Sequence, residues 1–195
     1  MKFSISTQTK LSMALLVLIG TQFTLAEMTS KAETNHQNCQ AVLSAKFTES
    51  APRDRFHFSN VSSDGWQVQS VMLQLAGSDG NLIFDTEEGG TGVEVFQKFR
   101  EESQSATTAV VNEPADGDQS LTIEFSDFPA GANYTFSIDL DDQLKQSELG
   151  NIRVSGSEIN GAVISVSFVS PDGKVESADG TFDSKSHSHV AADCG

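Results

Sequence analysis

Two cysteines are all that 195 residues provide, Cys39 and Cys194, and neither belongs to a CxxC pair or stands beside a ligand set. A structural zinc knuckle is therefore a poor reading. Near the two ends of an exported chain the expected outcome is a disulfide, and closing so long a loop contributes about 4–5 kcal/mol in the chain-entropy model. Two free thiols or a bare metal pair are the competing reading. Positive charge is scarce as well, because 12 Lys and Arg against 27 Asp and Glu leave a formal charge of −15. Such a surface repels nucleic acid and anionic membranes, and suits solubility or cation binding. A single Trp and a single Tyr stand against 13 Phe, so stacking platforms for sugars are few. The chain contains no GxSxG or HExxH motif and no EF-hand or nonapeptide calcium spacing, and His57 has no nucleophile motif beside it.

What is present begins with a targeting segment. Lys2 and Lys10 accompany an apolar stretch at 11–20 (LSMALLVLIG), and the small residues around Ala26 offer a cleavage site. This is the pattern of a secretory signal peptide at 1–26. Its apolar core is too short for a hydrocarbon layer of about 30 Å. Cleavage after Ala26 leaves 169 residues and a charge of −17, enough chain for one domain with a sizeable core. A polar flexible lead is expected at 27–38, and a single β-domain with a polar C-terminal tail at 39–195. The expected location is secreted or periplasmic.

Alternation at period two runs through the mature chain. Phe56 and Phe58 alternate with Arg55, His57 and Ser59; Val71, Leu73 and Leu75 share one face, as do Leu121, Ile123 and Phe125, then Phe136, Ile138 and Leu140, then Ala162, Ile164, Val166 and Phe168. Each run reads as a half-buried strand. Further strands are expected at 41–45, 93–99, 104–111 and 175–182, with Glu101 and Glu102 separating two of them and a helical turn available at 143–151. Turns rich in Gly, Asp and Pro punctuate the runs, and no long helix is apparent. The fold class this predicts is all-β, an antiparallel β-sandwich or jelly-roll-like single domain.

The most specific stretch is 83–99, IFDTEEGGTGVEVFQKF. Gly89, Gly90 and Gly92 can supply positive φ or let a backbone or an ion approach closely, and Asp85-Thr86 is placed to secure the turn by side-chain hydrogen bonds to the backbone. Further on, Asp139 and Asp141 alternate with Leu140, so both carboxylates project to one face about 7 Å apart, and Asp142 extends the group. Acids so close repel one another unless solvent, arginine or a cation answers them. Calcium takes such oxygens, which makes Asp85, Asp139, Asp141, Asp142 and Glu158 the candidate metal ligands, with Asp116 and Asp118 as further acids the fold could bring near. The competing reading is a solvated acidic strand end. Glu158, ahead of an apolar strand, is better suited to anchoring its turn or capping free amides than to holding a metal. His187 and His189 form an HSH pair in the expected tail.

The succession FDTxxGGxGVEVFQ at 84–97, DGDxxLxxxFxxFxxG at 116–131, FxIDxDD at 136–142 and GSEIxGA at 156–162 resembles the domain of sponge aggregation-factor core proteins and of related secreted proteins in marine bacteria. The resemblance covers more than half of the mature chain. It implies a secreted β-rich module of calcium-dependent adhesion complexes, with no catalytic residues. The expected function is thus a non-catalytic secreted β-domain, with calcium as its candidate cofactor, mediating contacts with an extracellular protein or glycan. The alternative is a carbohydrate-active, glycosidase-like enzyme using paired acids such as Asp139 and Glu158.

Overall fold

The computed structural model describes residues 39–49 and 53–194. The expected signal peptide and lead lie outside the described residues. Two five-stranded antiparallel sheets pack face to face as a β-sandwich. The first runs β12-β1-β2-β8-β5 and the second β11-β10-β3-β7-β6. In chain order the strands are β1 (Cys39–Thr48), β2 (Asp54–Asn60), β3 (Gln67–Gln74), β4 (Ile83–Phe84), β5 (Arg100–Gln104), β6 (Thr107–Asn112), β7 (Ser120–Asp127), β8 (Asn133–Ile138), β9 (Leu140–Asp141), β10 (Val163–Val169), β11 (Val175–Thr181) and β12 (His187–Cys194). No helix occurs among the described residues.

The alternation that marks the strands also builds the core. Ala41, Leu43, Ala45 and Phe47 of β1 turn inward together with Phe56 and Phe58 of β2 and Phe136 of β8, against Val71, Leu73, Ile123, Ile164 and Phe168 of the second sheet. Rings run across the first sheet, with centroids of Phe47–Phe56, Phe56–Phe136 and Phe136–Phe99 5.1, 5.0 and 5.2 Å apart. Phe125 of the second sheet meets Tyr134 of the first edge-on at 5.1 Å. Each such pair adds about 0.5–1.5 kcal/mol to the area it buries. Nine of the eleven phenylalanines among the described residues are buried, as their alternation implies.

A small ribbon, β4 with β9, closes one end of the sandwich, pairing Ile83 with Asp141 and Phe84 with Leu140. It draws the glycine-rich stretch and the 139–142 acids together.

The structure corrects four expectations. Residues 93–99 form no strand, because the Val93 and Phe96 amides turn to carboxylates instead of a neighbouring strand. Glu101 and Glu102 lie within β5 rather than between strands. At a sheet edge their charges are answered, Glu101 by the Tyr134 hydroxyl at 2.8 Å and Glu102 by Arg55 at 2.7 Å. Residues 143–151 make turns, not helix; the Asn151 side chain donates to the carbonyls of Asp142 and Leu144 and holds a loop. The C-terminal segment is no free tail, since β12 pairs along β1 from Lys46↔His187 to Cys39↔Cys194. Its inward residues, Ser188, Val190 and Ala192, are small and only weakly apolar, which is why the segment reads as polar.

Candidate metal centre

Asp85 leaves β4 at the closed end of the sandwich, and its amide donates to the Asp139 carbonyl at 3.1 Å. From there the chain loops outward and returns over the acids to β5. The loop is held by carboxylates. Asp116 accepts from the amides of Thr86, Glu87 and Thr91 at 3.0, 3.2 and 2.5 Å. Asp141 Oδ2 accepts from Val93 N at 2.5 Å, and Asp139 Oδ2 from Phe96 N at 2.6 Å. Three acids from two distant parts of the chain therefore set the path of 85–99, through charge-assisted bonds that are stronger than neutral ones.

Asp85 itself does something else. Its side chain is 1% exposed, and neither oxygen has a hydrogen-bond donor; Asp141 Oδ1, equally buried, lacks one too. The groups within reach of Asp85 are the carboxylates of Asp141 and Asp116, which as ionised acids have no proton to offer. Two glycines form the wall over this space. A Cβ on Gly92 would overlap the carboxylates of Asp85 and Asp141, and one on Gly90 would overlap Asp116. Of the three turn glycines, only Gly89 is required for its dihedral, at φ +73°; Gly90 and Gly92 are required for room. The expectation that Asp85-Thr86 ties the turn to itself is corrected: Asp116 makes those bonds, and Asp85 is left over.

The electrostatics carry the same imbalance. Burial and then the Asp141 charge push Asp85 up from an ordinary 3.8 to about 6. Burial takes Asp139 to about 7 despite the Phe96 amide, with Asp141 and Asp85 adding repulsion. Burial raises Asp141 against the pull of the Val93 amide. Asp116 alone goes the other way, to about 2, led by the amides of Thr91 and Thr86. Positive charge is what this cluster is short of.

Not every candidate joins it. Asp142, 2% exposed, faces the 143–151 loop, its Oδ1 accepting from Leu144 N at 2.9 Å and Asn151 Nδ2 at 2.8 Å. Its Oδ2 has no partner. Asp141 and Asp142 both line an open cavity of about 280 Å³, with Thr91 and Asn151 among the other walls. Glu158 caps a turn, accepting from Ser155 N at 2.7 Å and Glu148 N at 3.4 Å. Asp118 likewise caps its own turn through Ala115 N at 2.8 Å. Asp116 is the residue whose importance the spacing hides: nothing local in DGD announces that its carboxylate will seat a loop 25 to 30 residues away.

The donor set is all oxygen, hard and anionic, which suits calcium or magnesium and not zinc or copper. Among the described residues no three Asp, Glu, His or Cys side chains close on one point at metal-ligand spacing. A calcium ion here would take Asp85 and Asp141 as its carboxylates and the rest of its six to eight oxygens from carbonyls and water. Comparison with known proteins finds no matching family model, no matching curated protein and no matching solved structure.

Proposed function

We propose that this chain is an exported, non-catalytic β-sandwich module whose 85–99 loop folds over a calcium ion, and that the module serves contacts with protein or glycan outside the cytoplasm. The observation that carries the reading is Asp85: a fully buried carboxylate with both oxygens unpartnered, facing other acids beneath a glycine wall. A buried unpaired charge costs several kcal/mol; a proton answers it below about pH 6, to which Asp85 is raised, and above that a cation is the remedy that an all-oxygen pocket admits.

Export rests on the N-terminal apolar segment, and the backbone register adds support. Cys39 and Cys194 are partners on adjacent antiparallel strands, a pairing that holds Cα atoms about 4.5–5.5 Å apart and within the range of a disulfide. Such a bond fits an oxidising compartment. The glycosidase reading gains nothing from the fold, because Glu158 directs both its oxygens at backbone amides.

The test is calorimetric titration of the chelated protein with calcium and magnesium, beside thermal unfolding in calcium and in chelator. Calcium at a hundred times its Kd raises stability by about 2.7 kcal/mol, or roughly 5–10 °C for a domain of this size. A protein with no heat of calcium binding and one melting temperature in both buffers refutes the cation.

A further inference from the structure

The outer face of the first sheet has a charge opposite to that of the chain. Lys46 of β1 has His187 of β12 on one side and His57 of β2 on the other, as register partners. His189 lies two residues along β12 from His187, and Arg55 two along β2 from His57. Arg100 of β5 shares Ser137 of β8 with Arg55 as register partner. All three histidines of the described residues are thus gathered on one flat surface, about 19 Å across five strands. In a chain of 27 acids and 12 Lys and Arg, that is not an average composition.

The acids on this face are engaged: Glu102 reaches in from β5 to Arg55 and the Ser137 hydroxyl, and Asp183, beside His187, accepts from the amides of Lys185 and His187. Glu102 is held by Arg55 at 2.7 Å with Arg53 at 3.9 Å, and Asp193 by Lys174 at 3.0 Å. Between the cations stand Ser44, Ser59 and Thr135, hydroxyls that can hydrogen-bond in either direction. The ring of His57 reaches Thr135 Oγ1 at 3.2 Å. Burial first, then the charges of Lys46 and Arg55, hold His57 below its ordinary range while Glu102 opposes them, so the positive charge of the face comes from Lys46, Arg55 and Arg100.

We propose that this sheet face is a docking surface for an acidic polysaccharide, one bearing carboxylate or sulfate groups. This deepens the reading of the module as an adhesive one by naming the surface and the partner's chemistry, and the face is separate from the acid cluster. Net charge does not forbid it, because at 0.1 M salt a field decays within about 10 Å and acids elsewhere on the sandwich are screened. The partner is a glycan rather than a nucleic acid or a bilayer. The outward positions of β1, β2, β8 and β12 among the described residues carry no Phe, Tyr or Trp to stack bases or enter lipid, whereas hydroxyls interleaved with cations match sugar hydroxyls interleaved with acids.

The experiment uses the secreted chain with dextran sulfate and polygalacturonate as probes, and neutral dextran and duplex DNA as comparisons, at 0.1 and 0.5 M NaCl, each with calcium and with chelator. Binding of at least one acidic polysaccharide is expected at 0.1 M salt in chelator, lost at 0.5 M, with none to neutral dextran. Replacing Lys46→Gln together with Arg100→Gln weakens it about tenfold or more, on the order of fivefold per charge. Both side chains are exposed, and an unchanged melting temperature verifies the fold. The pair Lys145→Gln with Arg153→Gln, in the 143–157 loops, leaves it within twofold. No binding, equal loss in both pairs, or DNA bound as tightly overturns the proposal. Binding that needs calcium and ignores Lys46 and Arg100 also overturns it, by moving the polyanion to the acid cluster. Binding that follows Lys46 and Arg100 in a protein with no response to calcium upholds the face and removes the cation instead.

Discussion

Asp85→Asn separates a buried acid that wants a cation from one that is merely tolerated, because the two cases move stability in opposite directions. In chelator at pH 7.5 the wild-type carboxylate is ionised against an environment that raises it from 3.8 to about 6, a penalty of about 3 kcal/mol at 1.36 kcal/mol per unit. The amide removes that penalty and can donate to Asp141, but it brings polar atoms of its own that cost about 1–2 kcal/mol if left unpaired. The variant is therefore expected to be about 1–2 kcal/mol more stable than wild type without calcium, a rise of roughly 2–8 °C. With calcium at a hundred times its Kd, wild type gains about 2.7 kcal/mol and the variant close to nothing. The order of melting temperatures inverts. Trp66, 3% exposed in the core, gives an intrinsic fluorescence signal for the unfolding, and calorimetry supplies the enthalpy. An asparagine variant that melts lower than wild type in chelator, or that keeps the full calcium shift, refutes the argument.

Three further outcomes follow from the same geometry. In chelator, stability should fall as pH rises from about 4 to above 7: Asp85 and Asp139 have folded-state values near 6 and 7 against an unfolded 3.8, so the folded state holds the extra protons and loses ground as they leave. Calcium should flatten that slope, which melting temperatures at half-unit pH steps would reveal; an unchanged slope contradicts a shared site. Gly92→Ala places a methyl on the Asp85 and Asp141 carboxylates and should weaken calcium binding more than tenfold by titration. Gly89→Ala, strained only by φ +73° with open space around it, should cost about 1 kcal/mol and leave calcium affinity alone. Asp116→Ala strips three amides of their acceptor and should destabilise by about 2 kcal/mol, with fast hydrogen exchange appearing first at Thr86, Glu87 and Thr91.

Strands with a buried aromatic or branched residue at every second position were legible from the chain, as β2, β7 and β10 illustrate. Such a pattern has one low-energy answer when one face must leave water. β12 was not, because Ser188, Val190 and Ala192 carry too little apolar area to separate a strand from a polar tail. Its place is decided by β1, whose open edge needs a partner for its amides and carbonyls. The 93–99 segment alternates like a strand, yet its Val93 and Phe96 amides are taken by Asp141 and Asp139, acceptors brought from more than forty residues away.

The candidate site divides in the same manner. Acid density, the glycine cluster and the oxygen-only character of the donors were settled by residue type, and type alone pointed to a hard cation. Which acids meet was a matter of tertiary structure. The β4–β9 ribbon sets Asp85 beside Asp139 and Asp141, whereas Asp142 and Glu158, also candidates, turn away to cap backbone amides. The chain by itself determined that this protein is an all-β domain of alternating strands carrying excess acid, because periodicity and composition act locally. Only the folded molecule decided that one carboxylate would be buried without a donor and that three histidines and a lysine would share a face, because each outcome depends on register between strands far apart in the chain.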